Sequence, residues 1–270
     1  MSLPQAVQIG PLLLAADRAL ALVLISVFLV IAAILARKYD ASAERAGWWA
    51  LVVGLVAARI GYVVGNWEAF AIEPASILAI WQGGFSLPAG VAAGVLVTLR
   101  FLRLRTSSLV MVGAILGVTS VYIGASHLLR PAPRPLPTGL AVQTLTGKHV
   151  NLSAWRGRPL VINLWASWCL PCRREMPMLI DTALRSPVPI LLVNSGEERA
   201  VAERFLVANR LPDDLVYLDD TASLATVIGA AGYPATIFID AAGKVKSVHV
   251  GELSRAMLAE EIKAVRHERR

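Results

Sequence analysis

The sequence is poor in the residues that most often carry chemistry: only two of its 270 residues are cysteine and four are histidine. Both cysteines fall in one tetrapeptide, Cys169-Leu170-Pro171-Cys172, which excludes a disulfide-stapled scaffold. Two thiolates cannot complete a four-ligand structural zinc site, and His127, His149, His249 and His267 do not stand at finger spacing from them. Covalent haem attachment needs histidine directly after the second cysteine, where Arg173 stands. No metal site is therefore expected, and the pair is left with redox chemistry or chance. Charged residues make up 17%, too few for a disordered chain, and the 20 Gly and 15 Pro are too scattered for low complexity.

What is abundant is apolar. Hydrophobic residues reach 56% and the mean hydropathy is +0.60, which makes membrane-embedded segments the default expectation. The net charge of +7 divides almost evenly, with nine basic and five acidic residues up to 130 and seventeen and fourteen beyond it. Neither part has a basic stripe interleaved with aromatics, so no nucleic-acid partner is expected. The basic end 266–270 reads as a solvated helix end complementing the dipole.

The apolar run 19–36, bounded by Arg18 and by Arg37-Lys38, is just long enough for a helix rising about 1.5 Å per residue to cross a membrane. A cleaved signal peptide would carry its positive charge before a shorter core, so the run reads as a retained first span. Further spans are expected at 46–65, 85–97 with its flanks, and 109–129. Four spans leave both ends on one side. Loop 37–45 and the stretch Arg100, Arg103, Arg105 are basic, whereas the loop with Glu68 and Glu73 has no Lys or Arg. The positive-inside bias then places the N-terminus and everything beyond about residue 131 in the periplasm, in a multi-pass protein of the bacterial cytoplasmic (inner) membrane. Glycines four apart (Gly61 and Gly65, Gly90 and Gly94, Gly113 and Gly117) either let helices approach closely or reflect glycine's frequency in such spans.

A guanidinium within an apolar span costs at least about 2.5 kcal/mol and is retained for a partner or ligand, which makes Arg59 a candidate lipid-binding residue; the resemblance that follows adds Asn66. Ala58-Arg59-Ile60-Gly61-Tyr62-Val63, Asn66 and Trp81-Gln82-Gly83-Gly84-Phe85-Ser86 resemble the prolipoprotein diacylglyceryl transferases over about residues 50–105. That family continues with His-Gly-Gly, where this sequence has Pro88-Ala89-Gly90. The resemblance thus implies a truncated, transferase-derived domain without transferase activity, keeping at most a phospholipid or lipoprotein site around Arg59.

Prolines alternate through 131–138, which favours an extended spacer of roughly 25 Å at about 3.1 Å per residue. Beyond it, strands are expected at 159–166, 190–193, 235–240 and 245–250, and helices at 171–184, 197–209, 223–228 and 254–266. An apolar strand feeding through CxxC into a helix points to an α/β thioredoxin-like domain. The expected fold class is an all-α transmembrane domain of about four helices (1–130), a proline-rich linker (131–138) and an α/β thioredoxin-like redox domain (139–270). Cys169 would start a helix, where unpaired amides and the dipole favour a thiolate nucleophile, and Cys172 would resolve the mixed disulfide. Pro171 suits the first helical turn.

The stretch from Val161-Ile162-Asn163-Leu164-Trp165 through Trp168, the cysteines and Glu175 to Pro177 resembles membrane-anchored thioredoxin-like thiol-disulfide reductases of the TlpA/ResA/DsbE family. Gly147-Lys148, Leu152, Trp155 and Gly157 upstream and Gly232-Tyr233-Pro234 through Asp240 downstream extend the resemblance over about residues 139–265. It implies a cis Pro234 facing the cysteines and exposing the preceding backbone to a partner; a trans turn proline is the alternative. Trp168, Pro171 and Tyr233 would position the partner. Where ordinary thioredoxins carry a buried Asp this chain has Asn163, so Glu175 becomes the candidate for the resolving thiol's proton. The alternative is an exposed, solvated Glu merely favourable near a helix N-terminus. No cofactor beyond the Cys169–Cys172 pair is expected. Implied partners are exported proteins with cysteine pairs, such as apocytochrome c or copper-site proteins. A separate membrane thiol reductant is also required because the spans hold no cysteine, and membrane lipids surround them. The resemblance implies a reductase; a disulfide donor or isomerase, or a lipid- or lipoprotein-binding redox module, are the alternatives.

Overall fold

The computed structural model describes residues 6–9, 12–103, 106–129 and 132–267. Arg105, Pro131 and the tail 268–270, which entered the reading above, lie outside the described residues. The chain divides into two compact units, Met1–Arg130 and Pro131–Arg270.

The described residues of the first unit form the helices α1 (Ala16–Lys38), α2 (Ser42–Gly65), α3 (Trp67–Ile72), α4 (Leu87–Leu102) and α5 (Thr106–Leu129). A two-stranded antiparallel hairpin, β1 (Ala6–Ile9) and β2 (Leu12–Ala15), precedes them and departs from the all-helical expectation. Among the described residues three helices are long and apolar enough to cross a membrane, at Arg18–Lys38, Ser42–Gly65 and Thr106–Leu128. The third expected span corresponds to α4, whose 16 residues rise only about 24 Å against a hydrocarbon layer of about 30 Å. The chain between α2 and α4 instead coils through α3 and two 3-10 turns, Pro74–Leu78 and Ile80–Gln82.

Helices α2 and α4 pack antiparallel on small residues. A Cβ on Gly90 would lie 3.0 Å from the Ala58 Cβ and 3.1 Å from the Gly54 carbonyl, and one on Gly61 would lie 2.6 Å from the Ala89 Cβ. No described atom lies within 4 Å of such a Cβ on Gly65, Gly113 or Gly117, so the spacing reports close approach only between α2 and α4. Gly90→Leu should therefore lower the thermal midpoint of the detergent-solubilised chain, since overpacking costs about 1–3 kcal/mol and here meets backbone. Gly113→Leu should leave it unchanged; equal midpoints would contradict this packing.

The second unit is built on an eight-stranded mixed sheet of order β3-β10-β9-β6-β7-β8-β4-β5. Its strands are β3 (Arg134–Pro135), β4 (Ala141–Thr144), β5 (His149–Asn151), β6 (Leu160–Trp165), β7 (Ile190–Ser195), β8 (Val216–Asp219), β9 (Ala235–Ile239) and β10 (Lys244–Val250). β6 runs parallel to β7 and antiparallel to β9, and β7 runs parallel to β8. All six β6 residues are buried because both sheet faces are covered. Helices α6 (Leu170–Arg185), α7 (Arg199–Asn209) and α9 (Arg255–His267) send Leu179, Leu206 and Leu258 into the core that holds Val161 and Trp165. Helix α8 (Ser223–Ile228) sends Leu224 into the other core, with Ile162 and Leu164.

The four expected strands and four expected helices of this unit are all present, within a few residues of their expected ends. The proline-rich segment differs from the spacer read above. Pro135 pairs with Lys244 and the Leu136 N–H donates to the Gly243 carbonyl at 2.9 Å, so from Arg134 onward it is part of the sheet. Proline is tolerated there because β3 is an edge strand.

Candidate active site

Strand β6 delivers the chain to a short turn, and Cys169 follows as the N-cap of α6 in extended conformation, φ −80° and ψ 104°. Its Sγ accepts the Cys172 N–H at 3.3 Å, so the sulfur takes the place a capping oxygen usually fills. The free amides and dipole of the first turn thus converge on Sγ and favour a thiolate there. Pro171 occupies that turn, where its missing N–H costs nothing.

Cys169 and Cys172 are joined by a disulfide, with Cys172 fully buried and Cys169 only 4% exposed. Trp168 and Leu170 flank Cys169 and are 67% and 64% exposed. The Trp168 ring meets Tyr233 edge-on at 5.9 Å, and the Tyr233 hydroxyl hydrogen-bonds Ser195 Oγ at 2.9 Å. The Tyr233–Pro234 bond is cis, which sets aside the trans alternative, and Gly251 N–H holds the Pro234 carbonyl at 2.8 Å. The fold thereby brings Trp168 and Tyr233 together beside the cysteines, although 65 residues separate them in sequence.

Glu175 lies one helical turn beyond Cys172 and is 3% exposed, which excludes the alternative of a solvated carboxylate. Its Oε1 accepts from Asn163 Nδ2 at 2.9 Å and its Oε2 from Leu253 N–H at 3.0 Å. Burial pushes its pKa up from 4.5 to about 7; the bonds from Leu253 and Asn163 oppose this, and nearby Glu252 adds to it. Asn163 Nδ2 also donates to Thr236 Oγ1 at 3.0 Å, so the residue replacing the thioredoxin Asp anchors Glu175 instead of titrating. Arg174 holds Glu252 through two bonds, of 2.7 and 3.0 Å.

Glu197 escaped the sequence reading. Its carboxylate accepts from Ser167 N–H at 2.7 Å, Ser167 Oγ at 2.6 Å and Asn194 Nδ2 at 2.7 Å, and so fixes the turn before Trp168 and Cys169. The available signal was Asn194-Ser195-Gly196-Glu197, polar residues at the carboxyl end of a buried parallel strand, where α/β sheets place their sites.

In the helical unit Arg59 is 7% exposed and its guanidinium is fully engaged. Nε donates to the Ile77 carbonyl at 3.0 Å, Nη1 to those of Gly83 and Gly84 at 2.5 and 2.9 Å, and Nη2 to those of Ser76 and Ala79 at 2.6 and 3.5 Å. Five N–H groups meet five carbonyls, leaving no donor for a lipid phosphate. The expectation of a lipid site at Arg59 is therefore corrected: the charge is retained for backbone. Phe70 and Phe85 cover it at 5.3 and 5.8 Å from their ring centroids. Asn66 is likewise engaged locally, joining α2 to α3 and donating from Nδ2 to the Tyr62 carbonyl at 3.2 Å. Pro88 stands in the first turn of α4, so no imidazole occupies the place of the transferase family's His.

Residues 132–265 match the Redoxin family model, and residues 4–126 match the prolipoprotein diacylglyceryl transferase model. The thiol:disulfide interchange protein DsbE of Pseudomonas fluorescens biotype C is 29% identical over 167 residues, covering 61% of this chain and 93% of that protein. The thiol-disulfide oxidoreductase ResA of Geobacillus thermodenitrificans is 28% identical over 168 residues, covering 61% and 96%. Among solved structures, MTB dsbF is 27% identical, covers 47% of this chain and 94% of its own, and gives a TM-score of 0.43. With a cysteine pair capping a helix behind a buried strand, the chain is a thioredoxin-like thiol-disulfide oxidoreductase. It is of the DsbE/ResA type, with its pair at Cys169 and Cys172.

Proposed function

We propose that the helical unit anchors the chain in the bacterial cytoplasmic membrane. The redox unit then works on the periplasmic side, reducing disulfides of exported proteins that mature with haem c or copper. The observation that carries this reading is the layering of the site: Cys169 at the rim among exposed apolar residues, Cys172 sealed behind it, and a buried carboxyl titrating near neutrality one turn further on. The asymmetric placing of basic residues supports the orientation.

The Cys169 thiolate attacks a partner disulfide, forming a mixed disulfide and releasing one partner thiolate, which takes a proton from water. Trp168 and Leu170 receive apolar residues flanking the partner's cysteine, and Tyr233 and Pro234 line the other side. Cys172 passes its proton to Glu175 and attacks Cys169 Sγ; the mixed disulfide breaks, the second partner sulfur leaves as a thiolate that takes a proton from water, and the Cys169–Cys172 bond closes. Two electrons have moved from the pair to the partner. A membrane thiol reductant must then restore the dithiol, since the apolar helices carry no cysteine. The lipid-binding module reading loses its ligand group because Arg59 is saturated.

Acid-quenched thiol trapping in cells tests the direction. The pair should be found reduced, and oxidised once the membrane thiol reductant is deleted; a pair oxidised in both strains would establish a disulfide donor instead.

A further inference from the structure

We infer that residues 74–85 form a re-entrant cap immersed in lipid, in which Arg59 replaces water as donor to the backbone. This rests on the membrane-anchored reading above. The register sets the depth. Ser86 N–H donates to the Ala58 carbonyl at 2.8 Å, and Ala58 lies seven residues before the end of α2. Helix α4 therefore starts about 10 Å short of the end of α2. Adding that gap to the roughly 24 Å of α4 gives about 34 Å, close to the rise of about 36 Å expected for the 24 residues of α2. The coiled segment fills the depth that α4 lacks.

Irregular backbone at such depth survives only if its polar groups are satisfied by protein. The carbonyls of Ser76, Ile77, Ala79, Gly83 and Gly84 all converge on the one guanidinium. A segment in water would have no need of that arrangement. The side chains point the same way: Leu78, Ile80, Trp81 and Phe85 are 80%, 61%, 55% and 42% exposed. No charged residue occurs from Pro74 to Leu99, so the apolar surface runs unbroken into α4. Ile60 and Val64, toward the same end of α2, are likewise apolar and 57% and 68% exposed. Lipid chains are the occupant that fits a surface apolar in both segment and helix. Trp67 and Trp81 suit the headgroup boundary.

The test uses the full chain carrying Cys169→Ser and Cys172→Ser, with one new cysteine at a time labelled with a fluorophore, in phosphatidylcholine and phosphatidylglycerol nanodiscs. Val30→Cys on α1 and Val207→Cys on the redox unit serve as controls. Leu78→Cys and Ile80→Cys should be quenched by spin-labelled lipid as strongly as Val30→Cys, with loss of the iodide quenching seen at Val207→Cys. Quenching by iodide at 78 and 80 with Val30 still lipid-quenched would overturn the cap while sparing the membrane anchor. Quenching by neither agent would mean a protein surface covers the segment, which also overturns it. Iodide quenching at Val30 would remove the anchor and the cap together. Adding Arg59→Gln should transfer the Leu78 label from lipid to iodide quenching even in chains that still insert.

Discussion

Glu175→Gln should make the stability of the redox unit nearly independent of pH between about 5 and 8, a range over which the unaltered unit loses about 3 kcal/mol. The native carboxyl titrates at about 7 against 4.5 when unburied. Between those values the folded state holds a proton that the unfolded chain has released, so stability is full below the lower value and falls as pH rises through the upper one. Glutamine removes the ionisation without leaving a cavity. Its amide can donate to Asn163 Oδ1, a buried atom without a partner, once that amide turns over and the Thr236 hydroxyl donates instead of accepting. Urea midpoints of the oxidised unit at the two ends of the range give the slope; a flat profile in the unaltered protein would sink the account. The same substitution should flatten the pH dependence of the resolving step, because no group next to Cys172 would then accept its proton near neutrality.

Arg59→Met should destabilise the helical unit by an amount on the order of 5 kcal/mol while leaving disulfide exchange at Cys169 intact. The Ser76 and Ala79 carbonyls keep the Ala79 and Gln82 N–H groups as donors. Arg59 is the donor to Ile77, Gly83 and Gly84, and each buried carbonyl stripped of its donor costs about 1–3 kcal/mol. Removing the charge relieves some desolvation, but the methionine offers nothing to the carbonyls. Lysine should rescue little, since an ammonium presents three donors from one point whereas the guanidinium spreads five across a plane. Thermal midpoints in detergent and protease cleavage between 67 and 85 would show the loss; a variant as stable as the original would mean that the clamp is dispensable.

Much of this was legible because it depended on local pattern. The strand–CxxC–helix order placed Cys169 at a helix start, and the apolar runs placed the long helices. Glu175 was found because a position three residues beyond Cys172 shares its helical face. Burial decided its character, and burial depends on Leu253 and Asn163, which come from distant parts of the chain. β3, β4, β5 and β8 were missed because they are short and carry polar residues, and their pairing rather than their composition makes them strands. Arg59 was singled out correctly as an anomaly, yet its ligand was misread, since backbone carbonyls leave no trace in side-chain identity.

A redox pair at the start of a helix, in an α/β unit following a helical, membrane-like one, can be read from residue order alone. Hydrophobic periodicity and the spacing of two cysteines are local properties, and they suffice for that. Which groups meet is settled by folding: Glu197 with Ser167, Glu175 with Asn163 and Leu253, Trp168 with Tyr233, and Arg59 with five carbonyls. A polar group's role follows from its partners and its distance from water, and the folded chain sets both.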